Sequence, residues 1–518
     1  MKYPIGIQSF KKLREEGMVY VDKTALIYDL VQQGQYYFLS RPRRFGKSLI
    51  LSTIEAYFKG SKELFEGLAI SKLEKEWVEY PVIHIDINTG LYNSVENLRD
   101  QLEFLLSDQE EKLGLPKVGT KPSQRLESMI KRLSKLTGRN VVVLIDEYDK
   151  PLLEAIGKTD LQEAMRDELR AFYSVLKSCD QYIRFVMLTG VTKFGRLSVF
   201  SGLNNLNDIS FNDHFATICG ITLQELLDTF PEPIEIMAKK YKCEKDAMIA
   251  RLTDMYDGYR FSEADDKVFN PFSLLNAFFN NKMGEYWFAT GTPKYLVELL
   301  QRNDYMLSDL EGASATIPRL SAFNPDTGDD PIPVMYQSGY LTIKDYDEEE
   351  DELTLGFPNN EVRHGFAEYI LPFYVDNGPA MSRFDYRDFK KEIKYGKAEE
   401  FMKRLQALTA DMSYEILANC ENDFQNLLYV IFSLASTKPT VERRTSDGRI
   451  DMLVETDNFV YLMEYKVNGS AQEAMDQIEN KQYALPWATD SREIIRIGAD
   501  FSTTERRLTE YIIARSQL

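Results

Sequence analysis

The sequence predicts an α/β protein of several domains, which begins with a doubly wound parallel sheet and ends with a second α/β domain. Three observations lead to this prediction. A strand-loop-helix segment ends its loop in Gly46-Lys47-Ser48, a β-branched run ends in Asp146-Glu147, and a C-terminal hairpin combines acidic residues with a lysine. With 518 residues, 44% of them hydrophobic, the chain can build roughly two to four domain cores.

The first segment starts with an aromatic strand, Tyr36–Leu39, and its loop leads into an amphipathic helix. This order predicts a phosphate-binding P-loop, in which Lys47 reaches the β- and γ-phosphates and the Ser48 hydroxyl binds Mg²⁺. Arg41 replaces the first glycine of the general motif, and we expect the loop arginines to add positive charge beside the anion. The alternative is a basic surface turn. The predicted nucleotide-binding loop residues are Arg43, Arg44, Phe45, Gly46, Lys47, Ser48 and Leu49.

The β-branched run Val141–Ile145 is typical of a buried parallel strand, and two acids follow at its carboxyl end. Ligands of open α/β sheets bind at that edge. We therefore expect Asp146 to bind nucleotide by orienting Mg²⁺ through water, and Glu147 to be catalytic by polarising the attacking water. The alternative is an ordinary core strand that ends in solvated acids.

Two further strands are predicted at 81–88 and 182–192, separated by helical segments. Alternation of strands and helices predicts a doubly wound parallel sheet. Thr189 or Thr192, at the end of the last strand, is a candidate sensor of the γ-phosphate, and Thr192 is placed among the nucleotide-binding residues. A threonine at a strand end is also a common turn former.

The middle of the chain is expected to be largely helical up to residue 330. A β-hairpin follows, whose acidic run Asp345–Glu352 is most simply a solvated tip. This hairpin resembles the wing of a helical module, so a wing-like module is predicted at 331–378. The turn-forming sequence Asp376-Asn377-Gly378-Pro379 then marks the start of the last domain, 379–518.

The C-terminal hairpin carries Asp451 on one strand and Glu464 and Lys466 on the return strand. Because strand side chains alternate, Glu464 and Lys466 project from one face and Asp451 can face them. Two carboxylates suit Mg²⁺, and a lysine can position water for attack on a phosphodiester. This is the D…E-x-K core of a PD-(D/E)XK nuclease; the alternative is a cross-face ion pair.

Ser470 fits the cap of the helix that follows this hairpin. Gln477 and Lys481 lie one turn apart on that helix, where they could contact the backbone of the substrate.

The motifs of the first three hundred residues, in this order, resemble the predicted AAA-ATPase-like family of bacterial proteins, whose members typically carry a C-terminal PD-(D/E)XK nuclease-like domain. The motifs are Tyr20–Thr24, Arg41–Leu49, Leu144–Pro151, Thr189–Phe194 and Tyr256–Phe261.

The resemblance implies a P-loop domain at 1–220, a helical lid at 221–330, a winged-helix-like module and a restriction-endonuclease-like C-terminal domain. It also implies that arginine at position 41 is usual in the family. For the second site it implies Asp451, Glu464 and Lys466 as catalytic residues, the two carboxylates as metal ligands, and Glu442 or Glu421 as a further carboxylate near the substrate.

The net charge of −19 does not favour nonspecific adhesion to nucleic acid, although it is compatible with a local basic groove. Four separated cysteines and three scattered histidines favour buried thiols over zinc sites. No apolar run approaches the ~20 residues of a membrane span, and Met1–Pro4 lacks the start of a signal peptide. The prediction is a cytoplasmic protein without a membrane partner.

These features predict an ATP-binding, Mg²⁺-dependent ATPase coupled to a nuclease that acts on nucleic acid, with DNA as the expected substrate and a homo-oligomer as a possible assembly. One alternative is a nucleotide-switched binding or scaffold protein whose nuclease fold does not cut. Another is an ATPase with a structural C-terminal domain.

Overall fold

A computed structural model of the chain describes residues 1–193, 200, 203, 205–288, 296–297, 299–300, 303, 305–321, 330–374, 384–410, 421–435, 440–445, 448–505 and 507–516. These residues form two compact units, 1–290 with 312–361 and 291–311 with 362–518. The four predicted domain ranges divide the chain differently and stay predictions. The predicted boundary at 376–379 lies outside the described residues.

The first unit is built on a five-stranded sheet in the order β2-β3-β4-β1-β5, with every neighbouring pair parallel. All side chains of β1 and β3 are buried, as expected for parallel strands that are covered on both faces. The predicted parallel α/β sheet is therefore confirmed. Its strands are β1 (Tyr36–Ser40), β2 (Val82–Asp86), β3 (Val141–Asp146), β4 (Ile183–Gly190) and β5 (Asn207–Asp208).

Helices connect these strands and follow them along the chain. Those that precede and connect the strands are α1 (Phe10–Glu15), α2 (Thr24–Gln33), α3 (Lys47–Phe58), α4 (Ile70–Leu73), α5 (Val95–Lys112), α6 (Pro122–Thr137), α7 (Lys150–Glu154) and α8 (Thr159–Ser178). Those that follow the sheet are α9 (Leu223–Thr229), α10 (Pro231–Tyr241), α11 (Lys245–Tyr256), α12 (Pro271–Asn280), α13 (Ile317–Ser321) and α14 (Ile332–Ser338). None of the described helices is both long enough and apolar enough to cross a membrane.

The segment that was expected to be helical from Leu223 onward also contains a two-stranded antiparallel ribbon. It consists of β6 (Tyr259–Arg260) and β7 (Lys267–Val268). Gly258 precedes the ribbon with a φ of 95°, and a Cβ there would collide with the carbonyl oxygen of Pro358. The turn therefore requires glycine at this position.

The predicted hairpin with an exposed acidic tip is confirmed, but its first strand, which the sequence predicted from Met335 onward, starts at Thr342. The sheet has the order β8-β10-β9, with antiparallel neighbours, and consists of β8 (Ala313–Ala315), β9 (Thr342–Asp347) and β10 (Glu352–Gly356). Helix α14 occupies the start of the predicted strand and ends at Gly339, which has a φ of 89°.

The second unit contains a five-stranded mixed sheet in the order β11-β12-β13-β14-β15, in which only β13 and β14 run parallel. The predicted C-terminal hairpin and the capped helix after it are confirmed, because the Ser470 hydroxyl accepts the amide of Glu473. The elements are α15 (Asn360–Ile370, whose first turn contains the unit boundary), α16 (Tyr386–Lys394), α17 (Ala398–Ala410), α18 (Glu421–Leu434), β11 (Thr440–Thr445), β12 (Gly448–Glu455), β13 (Phe459–Val467), α19 (Ala471–Asn480), β14 (Glu493–Ser502) and β15 (Arg507–Ser516).

Candidate functional sites

A cleft of about 340 Å³ lies beside the N-terminus of α3 in the first unit. This volume is within the range of about 300–1,000 Å³ that is usual for small-molecule sites. Six of the predicted loop residues line the cleft: Arg43, Arg44, Gly46, Lys47, Ser48 and Leu49. Glu147, Asn88 and Lys150 line it as well. The cleft therefore collects cationic groups from the loop and an acid from the end of β3.

Lys47 is held at the base of the loop by the backbone. Its Nζ donates to the carbonyl oxygens of Arg41 at 3.1 Å and Pro42 at 3.3 Å, and lies 3.4 Å from Oε1 of Glu147. Glu147 itself has a φ of 53°, in the left-handed region that residues with side chains rarely adopt. Such backbone strain persists mainly at functional sites, which supports a role for this residue.

Asp146 is buried directly before Glu147. Its Oδ1 accepts the hydroxyl of Thr189 and the amide of Glu147 at 3.1 Å. Thr189 is therefore the β4 threonine that touches the acidic pair. Asp86, at the carboxyl end of β2, is the register partner of Asp146. Burial raises the pKa of the Asp86 carboxyl, and the neighbouring charge of Asp146 adds to this shift. Asp86 was not predicted, although its place at a strand end was a usable signal.

Thr192 is held by a neighbouring acid, and its predicted contact with nucleotide stays a prediction. It is completely buried, and both its hydroxyl and its amide donate to Oδ2 of Asp149, at 2.7 and 2.6 Å. The amide of Val191 donates to the same oxygen at 3.1 Å. Burial, reinforced by repulsion from Glu147, raises the pKa of Asp149 to about 6. Asp149 was missed, and it fixes the end of β4 to the segment that carries Glu147.

Arg41 differs from its expected role, because it does not line the cleft as Arg43 and Arg44 do. Only 1% of the residue is exposed, and its guanidinium donates to the carbonyl oxygens of Ser40, Ser210, Phe215 and Ala216 at 2.8–3.3 Å. Its Cζ also lies 4.3 Å from the centre of the Phe261 ring. Arg41 therefore fastens the loop to two distant segments of the first unit.

Phe45 of the loop packs against the segment that contains Phe261. Its ring packs edge-to-face against Tyr259, with 4.7 Å between the ring centres, and against Phe261 at 5.5 Å. The motif Tyr256–Phe261, for which the sequence suggested no mechanism, thus supports the inner side of the P-loop. Phe45 is buried in this packing, and its predicted contact with nucleotide stays a prediction.

The outer side of the loop has further supports. The Trp287 indole donates to the carbonyl oxygen of Arg43 at 3.2 Å, and the Arg44 guanidinium lies 4.7 Å from the Phe272 ring centre. A Cβ on Gly339 would approach Pro42 to 2.7 Å, so only glycine allows this contact. The loop is therefore held from both sides by residues that are distant in sequence.

Arg41→Gly, which restores the general motif, is expected to destabilise the protein. It removes the partner of four carbonyl oxygens and leaves a cavity, and each buried polar group without a partner costs about 1–3 kcal/mol. Thermal unfolding should show a clearly lower melting temperature. Arg43→Gly, at a neighbouring exposed arginine, is the control and should have a much smaller effect. Equal melting temperatures for Arg41→Gly and the wild type would contradict the structural role.

The second cluster lies on β12 and β13 of the second unit. Oδ2 of Asp451 accepts the amide of Tyr465 at 2.8 Å, and the amide of Asp451 donates to Oε2 of Glu464 at 3.5 Å. Nζ of Lys466 is 3.7 Å from Oε1 of Glu464. The structure therefore brings together the two carboxylates and the lysine that the sequence singled out.

Gln477 joins this cluster from α19. Its side-chain oxygen accepts Nζ of Lys466 at 2.5 Å, and its amide group donates to Glu464. In the structure it is bonded to both charged groups, and its predicted contact with the substrate stays a prediction. Lys481 follows the last residue of α19 and is exposed. The side chain of Glu442 and that of Glu421 lie outside the described part of the chain.

The charge balance at this cluster fits a divalent cation. Burial raises the pKa of Glu464 to about 8, and repulsion from Asp451 adds to the shift. When both carboxyl groups are ionised, two carboxylates with one lysine leave excess negative charge in a partly buried position. Oxygen ligands of this kind are those that Mg²⁺ binds, and a bound cation would relieve the repulsion.

Glu464→Gln is expected to stabilise the metal-free protein at high pH. The carboxyl has a folded-state pKa of about 8, above its ordinary 4.5, so folding takes up a proton between these values. The wild type therefore loses stability as the pH rises through 8, whereas a neutral amide does not. In EDTA, the melting temperature of the variant should exceed that of the wild type at pH 9 and approach it at pH 5. Glu479→Gln, at an exposed residue of α19, should show no such pH-dependent difference.

Comparisons with known proteins match two separate parts of the chain, and each part contains one of the two clusters. A family model described as predicted AAA-ATPase matches residues 4–200, which include the P-loop and the end of β3. A model of the PD-(D/E)XK nuclease superfamily matches residues 419–511, which include the second cluster. A relative described as an uncharacterized protein in the vnfD 5′ region of Azotobacter chroococcum mcd 1 is 34% identical over 527 residues, covering 99% of this chain and 98% of the relative.

Proposed function

Because the chain belongs to the family of predicted AAA-ATPases that carry a C-terminal PD-(D/E)XK nuclease domain, we propose that it is an ATP-dependent nuclease. Nucleotide binding in the first unit would regulate cleavage of phosphodiester bonds by the second. The observation that carries this proposal is the presence of two complete clusters on one chain, one with a P-loop lysine beside an acid and one with two carboxylates beside a lysine.

In the first site, Lys47 and the loop amides bind the phosphates of ATP. Ser48 and Asp146 would hold Mg²⁺, which supplies neutralisation of phosphate charge when bound. Glu147 orients and polarises the water that attacks the γ-phosphate. Thr189 holds Asp146 through its hydroxyl, and Asp149 holds the end of β4, so these two residues position the acids without touching the substrate.

In the second site, Asp451 and Glu464 would hold the metal ion, which supplies Lewis-acid activation of the phosphodiester when bound. Lys466 orients the attacking water and stabilises negative charge on the phosphate. Gln477 keeps the lysine and Glu464 in register through its two hydrogen bonds. Lys481, exposed at the end of α19, contacts the nucleic-acid backbone, and Glu442 stays a candidate for a further acidic contact.

The finer features of the proposal concern organisation and partners. The segment 221–330 is a lid over the nucleotide, 331–378 is a wing-like module, and 379–518 is the nuclease domain. The substrate is DNA, the location is the cytoplasm, and the assembly is a homo-oligomer. The acidic tip of the β9–β10 hairpin would repel DNA, so the wing-like module does not bind it.

The test combines two assays on the full-length wild-type protein. Phosphate release from ATP is measured with Mg²⁺, and cleavage of linear DNA, circular DNA, single-stranded DNA and RNA is measured with Mg²⁺ or Mn²⁺, each with and without ATP. The proposal expects ATP hydrolysis and cleavage of DNA that depends on both metal and nucleotide. If the protein bound DNA only with ATP and gave no cleaved product under any metal condition, the result would instead indicate a nucleotide-switched binding protein.

A further inference from the structure

Helix α16 of the second unit carries a cluster of cations on its exposed side. Phe389 and Ile393 are buried, so the opposite side of the helix faces solvent. Four exposed residues on that side lie three or four positions apart, which makes them neighbours on the helix surface: Arg387, Lys390, Lys391 and Lys394. We call these four residues the basic face. The whole chain has a net charge of −19, so this surface differs in sign from the protein as a whole.

The acids of α16 leave much of this charge in place. Glu392 binds the guanidinium of Arg404 on α17, at 2.5 and 3.0 Å, and so belongs to another pair. Asp388 lies 3.1 Å from Nζ of Lys391, and the aspartate that caps the helix lies 3.5 Å from Nε of Arg387. Both of these pairs are exposed, and exposed ion pairs contribute little stability. The carboxylates can therefore give way to another anion.

Lys390 and Lys394 repel each other one turn apart on the basic face. Partial burial lowers the pKa of the Lys390 ammonium, and the charge of Lys394 adds to this shift. Like charges at this spacing destabilise a helix, and an anion that contacts both would relieve the repulsion. Two large rings are exposed on the same helix and just beyond its end, with 41% of Tyr386 and 64% of Tyr395 accessible. Exposed aromatic rings beside cations are platforms on which nucleic-acid bases stack.

The basic face lies on the far side of the sheet from the carboxylate cluster. The Tyr461 hydroxyl on β13 donates to the carbonyl oxygen of Ile393 at 2.5 Å, so this side chain points towards α16. Side chains alternate along a strand, and β13 pairs without a break over Phe459–Val467, so Glu464 points to the opposite face. There Glu464 accepts the amide group of Gln477 on α19. Helix α16 therefore packs on one face of the sheet, and the cluster lies on the other.

We propose that the basic face binds the phosphate backbone of nucleic acid and anchors the substrate away from the bond that is cut. The inference rests on the proposed nuclease function of the second unit. The four cations displace counterions from the phosphates, so binding is independent of base sequence and weakens as salt rises. Because the basic face does not touch the reacting phosphodiester, it contributes to substrate affinity and not to the chemical step. The exposed tyrosines favour nucleic acid over an acidic polypeptide, which has no bases to stack on them.

The experiment compares a full-length variant that neutralises the basic face with its parent, both carrying Asp451→Asn so that bound DNA is not cut. Fluorescence anisotropy measures the binding of labelled double-stranded DNA, with Mg²⁺ and ATP, over a range of salt concentrations. The triple change Lys390→Gln, Lys391→Gln, Lys394→Gln should weaken binding about tenfold or more, and the slope of log affinity against log salt should fall by about 2 to 3, since each lost phosphate contact removes about 0.9. Without Asp451→Asn, the same triple change should raise the KM for DNA cleavage and leave kcat nearly unchanged.

A triple variant with the same loss of charge elsewhere is the matched control. Lys112→Gln, Lys131→Gln, Lys135→Gln, at exposed positions of α5 and α6, should bind DNA as its parent does. Replacement of the three α16 lysines by arginine keeps the charge and should keep binding. The glutamine variant of α16 removes the repulsion between Lys390 and Lys394, so its melting temperature should not fall below that of its parent. A loss of binding is then not a loss of folding.

The outcomes separate the basic face from the nuclease function. Equal affinity and equal salt dependence of the α16 glutamine variant and its parent would overturn the basic face as an anchor, while cleavage by the wild type would still support the nuclease. DNA binding that requires the basic face, in a wild-type protein that never cuts, would support the anchor and overturn the nuclease. Tighter binding of polyglutamate than of DNA would overturn nucleic acid as the partner. A wild-type protein that binds no nucleic acid would overturn both.

Discussion

Lys47→Ala should abolish ATP hydrolysis and weaken ATP binding by about 10²-fold or more. The ammonium lies where backbone carbonyls of the loop and Glu147 converge, so it is preorganised to meet developing charge on a phosphate. Loss of one preorganised donor of this kind typically costs about 10²–10³-fold in rate. Phosphate release and calorimetry with ATP and Mg²⁺ measure the two effects. DNA cleavage that requires ATP should disappear in the same variant.

Lys59→Ala is the matched control, since Lys59 follows the last residue of the same helix and is half-exposed beside Glu55. It should keep wild-type hydrolysis. Circular dichroism should confirm that Lys47→Ala is folded. A folded Lys47→Ala protein that hydrolyses ATP at the wild-type rate would rule out the P-loop cleft as the ATPase site.

Asp451→Asn should abolish metal-dependent cleavage of nucleic acid. Asparagine keeps a side-chain oxygen that can accept the amide of Tyr465, so the fold of the hairpin should survive. It removes the negative charge that a divalent cation needs. Loss of a partner that only orients a metal ligand costs about 10–100-fold, and loss of a ligand should cost more. Cleavage assays with Mn²⁺ and calorimetric titration of Mn²⁺ measure the expected losses.

Asp457→Asn tests the same change in the exposed turn of the same hairpin and should leave cleavage intact. ATP hydrolysis by Asp451→Asn should also persist, because its P-loop is unchanged. Wild-type cleavage by a folded Asp451→Asn protein would show that the β12–β13 cluster is not the nuclease site. The binding-protein alternative would be favoured if Asp451→Asn lost Mn²⁺ binding and the wild type showed no measurable nuclease activity.

Local patterns were sufficient to predict the strands and helices that carry both clusters. The β-branched run before Asp146 specified β3, since such runs pack well only in a sheet buried on both faces. The spacing of Glu464 and Lys466 placed them on one face of a strand, because side chains alternate there. The register of β12 against β13 could not be read from spacing alone. The structure provides it by pairing Met452 with Met463, which brings Asp451 beside them.

Local sequence patterns could not predict contacts between residues that are far apart in the sequence. Arg41 looked like a source of charge for a nucleotide because it stands in a phosphate-binding motif. In the structure it donates to carbonyl oxygens more than 160 residues away, at Ser210, Phe215 and Ala216. Gln477 was predicted as a substrate contact from its place on a capped helix, whereas its hydrogen bonds to Glu464 and Lys466 were not predicted.

The sequence by itself therefore determined on which strands and helices the candidate phosphate- and metal-binding residues lie. Residue type and periodicity follow from local backbone geometry, so they can be inferred without a fold. Only the tertiary structure decided how these residues are supported, as with Thr192 and Asp149. Their pairing depends on which strand ends meet at the edge of the sheet and on burial, which leaves a polar side chain no partner except a neighbouring polar group.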